Sequence, residues 1–274
     1  MRINFLYFTF TIIAGFSALL YIAQSQASRS PVPATDSSIR AVVVELFTSE
    51  GCSSCPPADA LLKKLGEEAS LPGVAVIPLE EHVDYWNHLG WSDAFSSSAF
   101  TERQNDYARK FGNDGVYTPQ MVVDGQAEVV GSRSREAKEA ILKASAAPKL
   151  TINLVQKSSS ESGKAAFDIG IADFSALPAG KEVELWIALT EKGLYTDVKA
   201  GENSGERLQH APVVRSLQKL DTFFGSAGYS AHSSIKLEST WQRTNLTFVA
   251  FAVEKGSRKI IGAAAAPVPK PNML

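Results

Sequence analysis

The chain has 274 residues, is 45% hydrophobic and carries a formal net charge of −2. That length fits two modest domains, and the apolar content suffices for genuine cores. A near-neutral chain without a basic stripe excludes nucleic acid as the expected partner, and two Cys with four His leave few metal ligands.

The first 27 residues read as an export signal: Arg2, an apolar run from Ile3 to Ala23, then Ser25 and Ala27 at the −3 and −1 spacing of a signal-peptidase site. The alternative is an uncleaved membrane anchor, because the run approaches the roughly 20 residues that span a bilayer. Either way the body is expected outside the cytoplasm, periplasmic or secreted, touching the membrane only through this segment. Residues 28–39 form a polar linker with two prolines.

"AVVVELFTS" (41–49) predicts a buried strand. After the two cysteines, Ala58, Leu61, Leu62 and Leu65 recur at helical spacing, and Pro56 and Pro57 suit a first helical turn. "GVAVIPLE" (73–80) predicts the next strand, completing a βαβ unit with parallel strands. An aromatic loop follows, then a helix ending at Gly112. Met121–Val123 and Ala127–Val130 flank the turn Asp124-Gly125 as a hairpin, and "SREAKEAILKASA" predicts a third helix. The order β-α-β-α-β-β-α implies an α/β thioredoxin-like domain with a four-stranded mixed sheet over 40–148. Short alternating strands over 149–266 predict an all-β, sandwich-like second domain, interrupted by the polar excursion 199–220. Residues 267–274 read as a loose tail.

Cys52 and Cys55 are the only cysteines. Set between a strand and a helix N-terminus, they suit thiol–disulfide chemistry. Unpaired N–H groups and the helix dipole favour a thiolate at Cys52, which attacks a substrate disulfide, and Cys55 then resolves the mixed disulfide. No other cofactor is needed, and the expected partners are thiols and disulfides of proteins or small molecules. A structural zinc site wants four ligands that this chain does not cluster. An inert staple gains little from so short a loop. Pro119 opens the hairpin strand, where thioredoxin-like folds set a cis proline against the CxxC, and with Thr118 it would pair with substrate backbone.

Together "ELFTSEGCSSCPPADALL", "HVDYWNHLGW", "RQNDYARKFG", "YTPQMVVDG" and "GENSGERLQH" resemble a bacterial family of exported thioredoxin-like proteins known as domain of unknown function 1223, over roughly 40 to 265. "TPQMVVDG" also resembles the proline strand of glutaredoxins. The resemblance implies a fold but no agreed reaction. The sequence departs from the family by the acidic Glu80 and Glu81 before His82, whose role this leaves open.

His82 leaves the second strand at the edge where α/β sheets place ligands, so it is a candidate to tune Cys52, to shuttle a proton or to order the loop. Tyr85, Trp86 and Trp91 are candidate substrate-groove residues or partial core. Glu45, on the strand feeding the cysteines, is a candidate acceptor of the Cys55 proton. Gly201, Glu202, Asn203 and Arg207 read as turn chemistry. The main expectation is an exported thiol–disulfide oxidoreductase. The alternatives are a Cu(I)-binding module using Cys52, Cys55 and His82, and an envelope interaction protein on a non-catalytic thioredoxin-like scaffold.

Overall fold

The structure is a computed structural model, and it describes residues 40–67, 71–157, 163–175, 180–225 and 228–268. The segments expected as export signal and linker, and most of the expected tail, lie outside these residues. Among the described residues no helix is long and apolar enough to cross a membrane.

The chain begins as read. Strand β1 (Arg40–Thr48) leads through the CxxC turn into helix α1 (Pro56–Glu67), and β2 (Val74–His82) returns parallel to β1 from Arg40↔Val74 to Thr48↔His82. Helix α2 (Ser98–Phe111) starts at the Ser97 cap and stops at Gly112. The hairpin of β3 (Gln120–Val123) and β4 (Ala127–Val130) lies antiparallel to β1 through β3, and helix α3 (Ser134–Ser145) follows.

The strands after α3 are β5 (Ile152–Lys157), β6 (Lys164–Ile171), β7 (Glu182–Glu191), β8 (Tyr195–Asp197), β9 (Arg207–Gln209), β10 (Val213–Phe224), β11 (Tyr229–Lys236), β12 (Leu246–Glu254) and β13 (Ile260–Pro267). Here the expected architecture is overturned. A four-stranded thioredoxin-like sheet followed by a separate sandwich does not describe this molecule. One eight-stranded mixed sheet runs β13-β12-β7-β10-β2-β1-β3-β4, joined by a three-stranded sheet β11-β6-β5 and the ribbon β8-β9.

The joint is β10, which pairs parallel to β2 at Val213↔Glu80, with Glu80 N–H donating to Pro212 O at 3.1 Å. Its other edge pairs antiparallel with β7. In sequence this strand looks like polar excursion because two bulges, at Val214/Ser216 and Lys219/Asp221, break its alternation. Once β10 occupies the outer edge of β2, that edge is covered. The C-terminal strands also reach back: Ile260 N–H donates to Asp124 O at 2.9 Å and Leu150 N–H to Ile261 O at 2.6 Å.

Strand alternation sorts the core. Val42, Val44 and Leu46 pack with Leu62 and Leu65 of α1 and Ile141 of α3 on one face. Val43, Ile77 and Leu79 pack with Phe100 of α2 on the other. A further core lies around the three-stranded sheet, where Phe167 stacks on Phe248 at 4.1 Å between centroids.

Candidate functional site

The turn between β1 and α1 is built on backbone hydrogen bonds. Cys52 N–H donates to Ser49 O at 3.1 Å, Cys55 N–H to Cys52 O at 3.1 Å, and Ala58 and Asp59 N–H to Cys55 O at 2.8 and 3.1 Å. Cys55 therefore accepts the first bonds of α1, and Pro56 and Pro57 fall where a helix leaves N–H groups unpaired. Cys52 and Cys55 are joined by a disulfide. Both are fully buried, while Ser53 and Ser54 between them are exposed.

What covers the disulfide turn comes from the excursion. Asn203 Nδ2 donates to Glu50 O at 2.8 Å and Cys52 O at 3.1 Å, and Glu202 Oε2 accepts the Ser53 N–H at 2.9 Å. Gly201 has φ +75°, and a Cβ there would lie 3.2 Å from Trp91 Cβ, so this loop turns tightly against the aromatic loop. Glu202 and Asn203 thus clamp the CxxC turn, and Gly201 seats the same loop against Trp91. Arg207 instead stacks on Tyr195 in the ribbon.

The Thr118–Pro119 bond is cis. A Cβ on Gly131 would lie 2.9 Å from Ala58 Cβ and 3.1 Å from Pro119 Cβ, so Pro119 and the first turn of α1 converge on that glycine. Trp86 packs over Gly51 and donates from Nε1 to Thr118 Oγ1 at 2.9 Å, linking the CxxC turn to the proline. Trp91 Nε1 donates to Glu50 Oε2 at 2.7 Å, and Tyr85 OH to Gln104 Oε1 at 3.1 Å. Burial pushes the Tyr85 hydroxyl up to about 12. All three aromatic tips are tied down, which orders the loop around the turn.

Beneath this surface lies a buried polar cluster. Glu80 and His82 alternate onto the α1 face, like Leu46 and Thr48 beside them. His82 Nδ1 meets Asp93 Oδ2 at 2.7 Å and its Nε2 meets Glu80 Oε1 at 3.0 Å. His210, just before β10, brings Nδ1 to the same Glu80 Oε1 at 3.2 Å and Nε2 within 3.3 Å of both Glu50 Oε1 and Thr196 Oγ1. Asp93 also accepts the Glu50 and Phe95 N–H groups at 2.9 and 2.8 Å. Thr48 Oγ1 donates to Asp59 Oδ1 at 2.7 Å.

Burial opposes charge on both imidazoles. Asp93 and Glu80 nevertheless hold His82 well above its ordinary range, and Glu50 and Glu80 raise His210 to about 9. Burial works against the Glu80 carboxylate too, yet its bonds to His210 and His82 keep it below the usual range. Burial, reinforced by Glu80, pushes Asp59 up to about 8 despite the Thr48 hydrogen bond.

The structure does not set Glu45 near Cys55. Alternation turns it to the α2 face, where Arg103 Nε donates to Oε1 at 2.5 Å and Tyr107 OH to Oε2 at 2.6 Å. Glu81 lies on that face too, 3.8 Å from Arg103 Nε, and burial and Glu45 raise its carboxyl well above the usual range. The carboxylate one helical turn beyond Cys55 is Asp59, and its i+4 spacing from Cys55 is the sequence signal that marks it. His82 turns both nitrogens to carboxylates. Asp93, Glu50 and His210 complete its surroundings, and His210 carried no local signal, lying 128 positions from His82 in sequence.

No curated protein matches this chain. A solved Agrobacterium tumefaciens protein is similar at 27% identity and a TM-score of 0.61, covering 85% of this chain and 96% of that one. HBP35 of Porphyromonas gingivalis is similar in fold at 16% identity and a TM-score of 0.61, over 86% of this chain and 78% of its own. A family profile described as "Protein of unknown function (DUF1223)" matches residues 43–253, and the chain belongs to that family.

Proposed function

We propose that this chain is an exported thiol–disulfide oxidoreductase working through Cys52 and Cys55 on protein or small-molecule disulfides. The observation that carries this reading is the bonded pair at the opening of α1, with the buried Asp59 carboxyl one turn on. Helical side chains tilt toward the N-terminus, so Asp59 leans back over the turn that ends in Cys55.

In the reduced state the Cys52 thiolate attacks a substrate disulfide, forms a mixed disulfide and expels one substrate thiolate. Cys55 gives its proton to Asp59 and attacks Cys52 Sγ. The Cys52–Cys55 bond forms, the mixed bond breaks, and the second substrate thiolate leaves. Two electrons pass from the protein dithiol to the substrate; run backwards, the same steps oxidise a substrate dithiol. Pro119 and Thr118 beside the first turn are the candidate backbone contact for the substrate, and Trp86 holds that segment in place. Because the sulfurs are buried, exchange requires the Glu202–Asn203 clamp to let go.

Trapping tests the reading. Cys55→Ala should accumulate mixed disulfides through Cys52 with envelope proteins or with cystine, seen by mass spectrometry and lost on reduction. Absence of any adduct, even with Asn203→Ala added to loosen the clamp, would refute it.

A further inference from the structure

We infer that Glu80, His82 and His210 form a binding site for a divalent first-row transition-metal ion, with Zn(II) as the reference ion. The site is separate from the disulfide, whose sulfurs are bonded to each other.

Three observations converge. First, His82 Nε2 and His210 Nδ1 approach one oxygen, Glu80 Oε1, at 3.0 and 3.2 Å, and the three ligand atoms lie within 4.8 Å of one another. An ion between them needs only small rotations to reach bonds of about 2.0–2.2 Å. Second, the far nitrogen of His82 meets the Asp93 carboxylate at 2.7 Å, and the far nitrogen of His210 meets Thr196 Oγ1 at 3.3 Å with the Glu50 carboxylate also 3.3 Å away. That is the outer-shell arrangement that fixes the tautomer and aim of metal-binding histidines. Asp93 is itself held by two backbone N–H groups. Third, Glu80 is fully buried and its Oε2 has no hydrogen-bond partner among the described residues. A buried carboxylate oxygen left unpaired is costly, and an ion bound at Glu80 would meet it.

The surroundings agree. Glu50, Glu80 and Asp93 stand against only two imidazoles, an excess of acid that a dication offsets. The Phe95 ring stands edge-on to both histidines, at 5.4 Å from His82 and 5.1 Å from His210, as an apolar wall. Two imidazoles and one carboxylate form a donor set suited to zinc or iron(II), and a poor one for Cu(I) or Ca(II). Three protein ligands leave further coordination positions open.

The test uses the oxidised full chain, shown to hold no free thiol, so that the cysteines cannot bind the ion. After treatment with a chelator and dialysis, Zn(II) is titrated by calorimetry and the bound metal counted. The expected result is one Zn(II) per chain. Asp93→Asn should weaken binding about 10- to 100-fold, and His210→Ala should weaken it further. Co(II) loaded into the oxidised wild type should give visible bands without thiolate charge transfer, a readout that requires no variant to fold. The inference fails if the oxidised wild type binds neither Zn(II) nor Co(II), or if binding is unchanged in His210→Ala. It fails equally if only the reduced protein binds, since the ion then sits on the cysteines. None of these failures touches the trapping result for Cys55→Ala.

Discussion

Strands β1 and β2 carry buried polar groups on both faces, and the two faces differ in kind. On the α2 side, Glu45, Glu81 and Tyr107 gather around one guanidinium, Arg103, which is also stacked beside Trp186 at 5.0 Å and Phe251 at 5.7 Å. There the cation is hydrogen-bonded to Glu45 and stands 3.8 Å from Glu81, whose two buried oxygens have no hydrogen-bond partner among the described residues and whose carboxyl burial and Glu45 hold well above the usual range, and aromatic rings fill what remains. On the α1 side, two imidazoles, His82 and His210, stand among three acids, Glu50, Glu80 and Asp93, with Glu80 Oε2 unpaired, and lie in the electrostatic reach of Asp59, one turn from the disulfide. A shift of one residue along a strand separates carboxylates gathered around a guanidinium from carboxylates gathered around two imidazoles.

The sharpest way to break this comparison is to remove Arg103. Arg103→Ala leaves Glu45 and Glu81 buried without their cation and should cost about 3–5 kcal/mol, measured by urea unfolding. Disulfide exchange by the molecules that remain folded should be unchanged. Loss of exchange in the folded fraction would make the α2 cluster functional and erase the contrast.

The next effect belongs to the other face. Asp59→Asn keeps shape but cannot accept the Cys55 proton, so closure of the mixed disulfide should slow about 100-fold, followed by stopped-flow oxidation of the reduced protein. Unaltered closure would remove Asp59 from the mechanism while leaving Cys52 in it.

Asn203→Ala removes two hydrogen bonds that fasten the cover over the CxxC turn. With about 1 kcal/mol for each bond, reduction of the disulfide by dithiothreitol should quicken about 30-fold, and global stability should fall by about 2 kcal/mol. An unchanged rate would mean that the cover does not control access. At the bottom of the scale, Arg135→Ala breaks an exposed pair with Glu139 at 3.9 Å. It should change stability by less than about 0.5 kcal/mol and leave both faces untouched.

The local elements were legible in the sequence because each carries its own signal. Leu62 and Leu65 repeat at helical spacing in α1, Asp124-Gly125 marks the hairpin turn, and Gly112 closes α2. The assembly was not legible. It depends on β10 docking beside β2, a pairing between residues more than 130 positions apart whose bulges hide the period-2 pattern. The site divides the same way. Cys52, Cys55 and Pro119 stand out by local chemistry. Glu45 and Asp59 could be told apart only by knowing which face of β1 supports α1. His210 and Asn203 reach the site only through the same long-range joint, so no window of sequence contains the reason they matter.

The claim beneath all of this is that Cys52–Cys55 is a working disulfide and not a fastening. Its reduction potential decides most directly, measured by equilibrating the folded chain in glutathione or dithiothreitol buffers and counting alkylated thiols by mass spectrometry. A reversible midpoint between about −270 and −120 mV, the range of proteins that exchange disulfides, is the predicted result. A midpoint below about −300 mV, or reduction only once the chain unfolds, would contradict it.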